Sequence, residues 1–325
     1  MKKNLTRRTL LLGAAAAVAG PVIAQSGYPA KPITVIVPYA PGGQGDVFAR
    51  LVGERLGTRL KQAVIVDNRP GATGALGTRL AAKAKGDGYT LLLGQTGEMA
   101  VNRSVVKQLG YDPVRDFKPV VLVGDAPLVL VAPASAPFGS IRELVSAARA
   151  KPGSLSYASS GTATPGHLAA AALALGTKTD MVHIPYKGAG QAMTDLLGSQ
   201  VQLFFSSASA VMPHIKSGKL KALAVSTSTR LASLPEVPTV AETVVPGFAF
   251  SLWGGLFAPA ETPDDIVHQL NVAVNEILAE PAIRERFAAD GSAVRQNTAA
   301  EFGAFLQREI AKYEGLVKAT GITAE

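Results

Sequence analysis

Two polar, glycine-bearing loops carry the residues best suited to hold an anion. The first, Pro41-Gly42-Gly43-Gln44-Gly45, follows a short apolar run and leads into Asp46. Its glycines let backbone N–H groups approach a bound molecule with no Cβ in the way. A helix N-terminus just beyond adds a partial positive charge. The second loop, Ser159-Ser160-Gly161-Thr162-Ala163-Thr164, offers hydroxyls, a glycine and another helix start. Facing each other, the loops make a pocket for a carboxylate that needs no arginine. The glycine loop lacks the Lys-Ser/Thr of a phosphate cradle and the spacing of a dinucleotide fingerprint. Asp46 reads as the N-cap of the following helix, where its charge is favoured; placed directly against an anion it would repel it.

Other reactive chemistry is sparse. Cysteine is absent, which excludes disulfides, thiolate nucleophiles and cysteine metal sites. His167, His183, His214 and His268 show no metal-ligand spacing. No G-x-S-x-G elbow is present, and no serine is paired by sequence with a plausible His and Asp. No catalysis, metal or cofactor is expected. His167 falls one turn into the helix after the serine loop, as a buried support for it or as a ligand contact. Lys187 follows a strand near His183, as an anion contact or as a solvated loop lysine. His183 reads as structural, and Phe248, Phe250 and Trp253 as packing.

Strand-like and helix-like segments alternate, which argues for α/β architecture with mainly parallel sheets. Ile33 to Val37 is a strand, ended by Pro38, and the helix after the glycine loop runs to about Leu60. Strands follow at Val64 to Val66, Thr90 to Leu93, Leu128 to Val131, Leu155 to Ala158, Val201 to Phe205 and Ala222 to Val225. Ser140 with Glu143, and Thr298 with Glu301, form capping boxes. Thr164 with Pro165 opens a helix to Leu175. After Pro246 the chain turns mostly helical, with few strands, and is expected to pack back on the N-terminal part.

The composition, 47% hydrophobic and 17% charged over 325 residues, is globular and long enough for two domains. Lys2, Lys3, Arg7 and Arg8, then the apolar run Leu10 to Ala19, then Val22-Ile23-Ala24, read as an export signal cleaved after Ala24. Arg7-Arg8 fits a twin-arginine signal as well as a Sec signal. The segment 1–24 carries four basic residues and no acid, so the net charge of +8 becomes 8 − 4 = +4 once it is removed. No Lys/Arg run interleaved with aromatics points to nucleic acid, and a mildly positive surface favours small anions.

In order along the chain stand Tyr28-Pro-Ala-Lys-Pro-Ile33, Val37-Pro-Tyr-Ala-Pro-Gly-Gly-Gln-Gly-Asp46, Asp67-Asn-Arg-Pro-Gly71, Asp87-Gly-Tyr-Thr-Leu91 and Tyr111-Asp-Pro113. Tyr157-Ala-Ser-Ser-Gly161, His183-Ile-Pro-Tyr-Lys-Gly188, Pro213-His-Ile-Lys-Ser-Gly-Lys-Leu220, Leu234-Pro-Glu-Val-Pro-Thr239, Pro246-Gly-Phe248 and Gly321-Ile322 follow. With this ordered set the chain resembles the Bug family, periplasmic receptors of tripartite tricarboxylate transporters. The resemblance implies two α/β domains of the type II periplasmic-binding-protein kind, with the ligand in the cleft between them. The first domain takes 28–127 and 247–325, the second 128–246, with hinges near Gly124 to Pro127 and Val245 to Phe248.

The implied ligand is a mono- or dicarboxylate, and the implied partners are the membrane components of the transporter. From the first domain the implied contacts are Tyr39, Pro41, Gly42, Gly43, Gln44, Asp46, Gln95 and Thr96. From the second they are Ser159, Ser160, Gly161, Thr162, Thr164, His167, Lys187 and Ser206. The chain departs from the family at three places. Ser206 stands where an aspartate is common, Tyr39 where a phenylalanine is, and Glu98 is an added acid. A sensor that answers to a signalling partner, or an enzyme using the same cleft, are the alternative readings.

Overall fold

The computed structural model describes residues 27–289 and 291–324. The expected export signal at 1–24 lies outside the described residues. The chain opens with β1 (Ile33–Val37), whose run of β-branched residues suits a buried strand. α1 (Gln44–Leu60) follows, then β2 (Val64–Asn68), α2 (Ala75–Ala82), β3 (Thr90–Gln95) and, after a π-helical turn at Gly97–Val101, the short α3 (Asn102–Val105). β1 lies between β2 and β3, parallel to both. α1 buries Phe48, Val52 and Leu56, which recur every four residues and share one face. They pack on Val35, Leu91 and Leu93 of the sheet.

β4 (Phe117–Pro133) is the long strand, 17 residues, that leaves this first lobe and enters the second. There α4 (Ile141–Ala150), β5 (Ser156–Ser159), α5 (Pro165–Thr177), β6 (Val182–Pro185) and α6 (Ala189–Leu197) follow. Then come β7 (Leu203–Ser207), α7 (Ala208–Lys216), β8 (Leu220–Val225) and α8 (Val240–Thr243). β9 (Ser251–Pro259) returns to the first lobe, and α9 (Asp264–Ala279), α10 (Pro281–Ala289) and α11 (Ala299–Thr320) close the chain. Thr298 and Glu301 form the expected capping box of α11.

The sheet order is β2-β1-β3-β9-β4-β7-β5-β6, with β8 also paired to β4. Phe117 to Pro127 pairs with β9, and the remainder of β4 pairs with β7 on one side and β8 on the other. The expectation of mainly parallel sheets therefore holds within β1–β3 and β5–β7 only. β4 and β9 run antiparallel to their neighbours, because one strand carries the chain out and the other brings it back. The return crossing falls later than Val245 to Phe248: Phe250 N–H donates to Ser226 in the second lobe, and Ser251 is already paired with Pro127. Phe248 packs on Phe205 instead, at 6.0 Å between ring centroids. After the crossing, α9 buries Val267, Leu270, Val274 and Ile277 in the same core as β1 and β3.

Candidate functional site

Four loops meet at a cleft of about 790 Å³. Each follows the C-terminal end of a strand with parallel pairing, where open α/β sheets characteristically bind their ligands. From the first lobe, Tyr39 to Gln44 follows β1, and Gln95 ends β3 with Thr96 and Gly97 after it; from the second, Ser160, Thr164 and Pro165 follow β5, and Lys187 to Ala189 follow β6. Leu252 and Trp253 of the crossing strand β9 form the floor. The N-termini of α1, α5 and α6 open onto it at Gly43, Thr164 and Gly188, none with a side-chain cap. Their first-turn N–H groups have no intrahelical partner. No acid is among the described lining residues, and Lys187 brings an exposed ammonium. A second cavity, about 430 Å³, has Asp125, Arg230, Glu309 and Lys312 in its wall, mixing both signs of charge.

Of the residues anticipated from the sequence, Tyr39, Pro41, Gly42, Gly43, Gln44, Gln95, Thr96, Ser160, Thr164 and Lys187 line the cleft. Gly42 takes φ +84°, a conformation that favours glycine, and thereby turns the loop into α1. Gln44 donates its amide to the Leu252 carbonyl at 2.7 Å, and Thr96 accepts from Trp253 N–H at 2.9 Å. Both side chains thus tie the loops to β9. Ala40, Gly97, Pro165, Gly188, Ala189, Leu252 and Trp253 also line the cleft without having been singled out for it. Gly188, set before a helix after an apolar run, had the signal that marked Gly43; the floor residues had none.

Asp46, Ser159, Gly161, Thr162, His167 and Ser206 stand outside that lining. Asp46 is not the N-cap. Gly43 holds that position in an extended conformation, and Asp46 sits in the first turn of α1. From there its Oδ2 reaches back past the cap to accept from Gly42 N–H at 2.9 Å, while Arg50 Nε donates to both oxygens at 3.0 Å. Burial raises this carboxyl's pKa, but Arg50, the Gly42 N–H and Asn68 outweigh it and hold it below the usual aspartate value. Ser206 is buried, 5% exposed, at the end of β7.

The second anion loop rests on its own supports. Ser159 is fully buried; its hydroxyl donates to the Gly161 carbonyl at 2.9 Å and lies 2.7 Å from His183 Nε2. His167, 4% exposed, accepts from Ala163 N–H at Nδ1, 3.0 Å. Ala163 has φ +59°, which costs a residue with a Cβ roughly 1 kcal/mol. Satisfying its buried N–H, worth about 1–3 kcal/mol against leaving it unpaired, offsets that strain.

Glu98 lies behind the first-lobe wall, fully buried in the π-helical turn, a form that recurs at functional sites. Its Oε1 accepts from Gln95 N–H at 2.5 Å and its Oε2 from the Tyr39 hydroxyl at 2.8 Å. Tyr111 donates to its carbonyl at 2.6 Å. Burial pushes the Glu98 carboxyl up to about 7, and its own backbone N–H, the Tyr39 hydroxyl and the Gln95 N–H offset only part of that rise.

Two α/β lobes joined by crossing strands, with helix N-termini from both aimed into one cleft, define a two-lobed solute-binding protein of the periplasmic type. Residues 48–322 match the tripartite tricarboxylate transporter family receptor model, and the chain belongs to that family. It is 40% identical to the protein BugT of Bordetella pertussis over 322 residues, 98% of each chain. Among solved structures, one from R. palustris described with adipate superposes with a TM-score of 0.81 at 33% identity, covering 91% of this chain and 99% of that one. MatC from Rhodopseudomonas palustris, with bound malate, gives 0.77 at 32% identity, covering 89% and 100%. No helix among the described residues is long and apolar enough to cross a membrane.

Proposed function

We propose that this receptor is exported, captures a small carboxylate-bearing molecule between its lobes, and hands it to the membrane components of a tripartite transporter. The observation that carries the reading is the convergence of three uncapped helix N-termini and Lys187 on a cleft with no acid in its described lining. The adipate and malate of the two R. palustris structures support it. The lobes divide near residues 128 and 250, and closure is a hinge motion about the crossing strands β4 and β9. The function is binding and not catalysis: among the described residues, Ser159 is the serine whose hydroxyl lies against an imidazole, and it is fully buried and spends its proton on the Gly161 carbonyl. Export removes residues 1–24, so mass spectrometry of the periplasmic form finds Gln25 at the N-terminus.

The test is a thermal-shift screen of mono- and dicarboxylates with the mature chain. A ligand at a hundredfold excess over its Kd stabilises the native state by about 2.7 kcal/mol, enough to raise Tm by several degrees. Lys187→Gln leaves the unliganded Tm unchanged, weakens the best ligand by roughly tenfold, and makes the remaining affinity less sensitive to salt. A screen in which no carboxylate moves Tm sinks the proposal.

A further inference from the structure

The cleft is electrically asymmetric. Helix N-termini and Lys187 supply positive potential, while the wall formed by Tyr39 and Gln95 to Gly97 is backed by Glu98. Both carboxylate oxygens of Glu98 are bonded to neutral donors, the Gln95 N–H and the Tyr39 hydroxyl. The Tyr39 hydroxyl gives its proton to Glu98, so what remains to it is an acceptor. We infer that Glu98 is a specificity-determining residue: the cleft prefers a single carboxylate whose far end bears a donor, a hydroxyl or an ammonium, over a dicarboxylate of equal length. The inference rests on the carboxylate reading above and narrows its ligand class.

The first carboxylate goes to the helix N-termini, where partial positive charge is concentrated. The rest of the molecule then meets the wall in front of Glu98. A second carboxylate there, taken as about 8 Å from Glu98 at an effective dielectric near 20, loses on the order of thirtyfold in affinity. A hydroxyl or ammonium instead finds the Tyr39 oxygen and a favourable potential. Glu98 acts through Tyr39 and the Gln95 backbone, as a positioning residue that also carries charge.

The experiment is calorimetry on the mature chain at about pH 8.5, where Glu98 is mostly ionised, with glutarate, 5-hydroxypentanoate and 5-aminopentanoate as probes. Wild type should bind one of the donor-ended acids at least about tenfold more tightly than glutarate. Glu98→Gln should shift that ratio toward glutarate by on the order of thirtyfold, and Glu98→Asp, which keeps the charge, should retain the wild-type ranking. An unmoved ratio in a folded Glu98→Gln overturns the inference and leaves the carboxylate reading intact. If Glu98→Gln does not fold, Tyr39→Phe decides: the hydroxy acid should weaken by roughly tenfold and glutarate should not, and equal effects on both overturn the inference. A wild type that binds no carboxylate overturns both readings together.

Discussion

His167 and His183 stack face to face beneath the second anion loop, their ring centroids 3.6 Å apart and their planes 11° from parallel. Tyr157 continues the stack on His183 at 5.1 Å. Each imidazole also holds the loop, His167 through Ala163 N–H and His183 through the Ser159 hydroxyl. Burial, followed by the nearness of His183, pushes His167 down to about 4, and burial lowers His183 as well. A neutral pair is what this packing demands.

Acid sensitivity follows from that pair. The folded pKa of His167 lies below its unfolded value of about 6.5. Its contribution to stability is therefore fully present above pH 6.5 and is lost as pH falls toward 4, by up to about 3 kcal/mol. His167→Asn keeps an acceptor for Ala163 N–H and removes the titration. Melting temperatures measured from pH 7 to pH 4 should decline less steeply for this variant than for wild type. Parallel profiles would show that His167 is not a source of the acid sensitivity.

Gly43→Val separates ligand contact from folding. Gly43 has φ −75°, which any residue adopts, and a Cβ there meets only the Ala40 carbonyl oxygen at 3.6 Å, an ordinary contact. The variant should melt within a few degrees of wild type, since the position is exposed and the cost is that of a poorer N-cap residue. It should nonetheless lose carboxylate affinity by more than about tenfold, because the branched side chain occupies the approach to the N-terminus of α1. Unchanged affinity would remove this loop from the binding site.

Ser206→Asp tests the place where the chain leaves the family pattern. Ser206 is 5% exposed and paired with Val129 inside the sheet. A carboxylate buried there without a partner costs several kcal/mol or takes up a proton. The expected outcome is a Tm lower by several degrees, with Kd changed less than about tenfold. A loss of about a hundredfold in affinity at unchanged Tm would instead place Ser206 against the bound molecule.

The site loops were legible in the sequence because local chemistry produces them. Gly42-Gly43 and Ser159 to Thr164 each stand between an apolar strand and a helix start, and their backbone geometry follows from glycine, hydroxyl and proline preferences within a few residues. The capping box at Thr298 and Glu301 is equally local. β9 and the first part of β4 were not legible. Gly254 and Gly255 interrupt the apolar pattern of β9, yet they sit mid-strand, where a Cβ would strike the rings of Phe48 and Phe302. Pro119, Gly124 and Asp125 break the apolar run of β4 in the same way, although pairing with β9 carries the strand through them. The order of two α/β lobes and their anion loops thus came from the sequence by itself. The floor at Leu252 and Trp253, the burial of Glu98 behind Tyr39, and the stacking of His167 on His183 were decided only by tertiary structure. Each joins segments distant along the chain, and no short-range preference encodes which rings and carboxylates meet when the sheet closes.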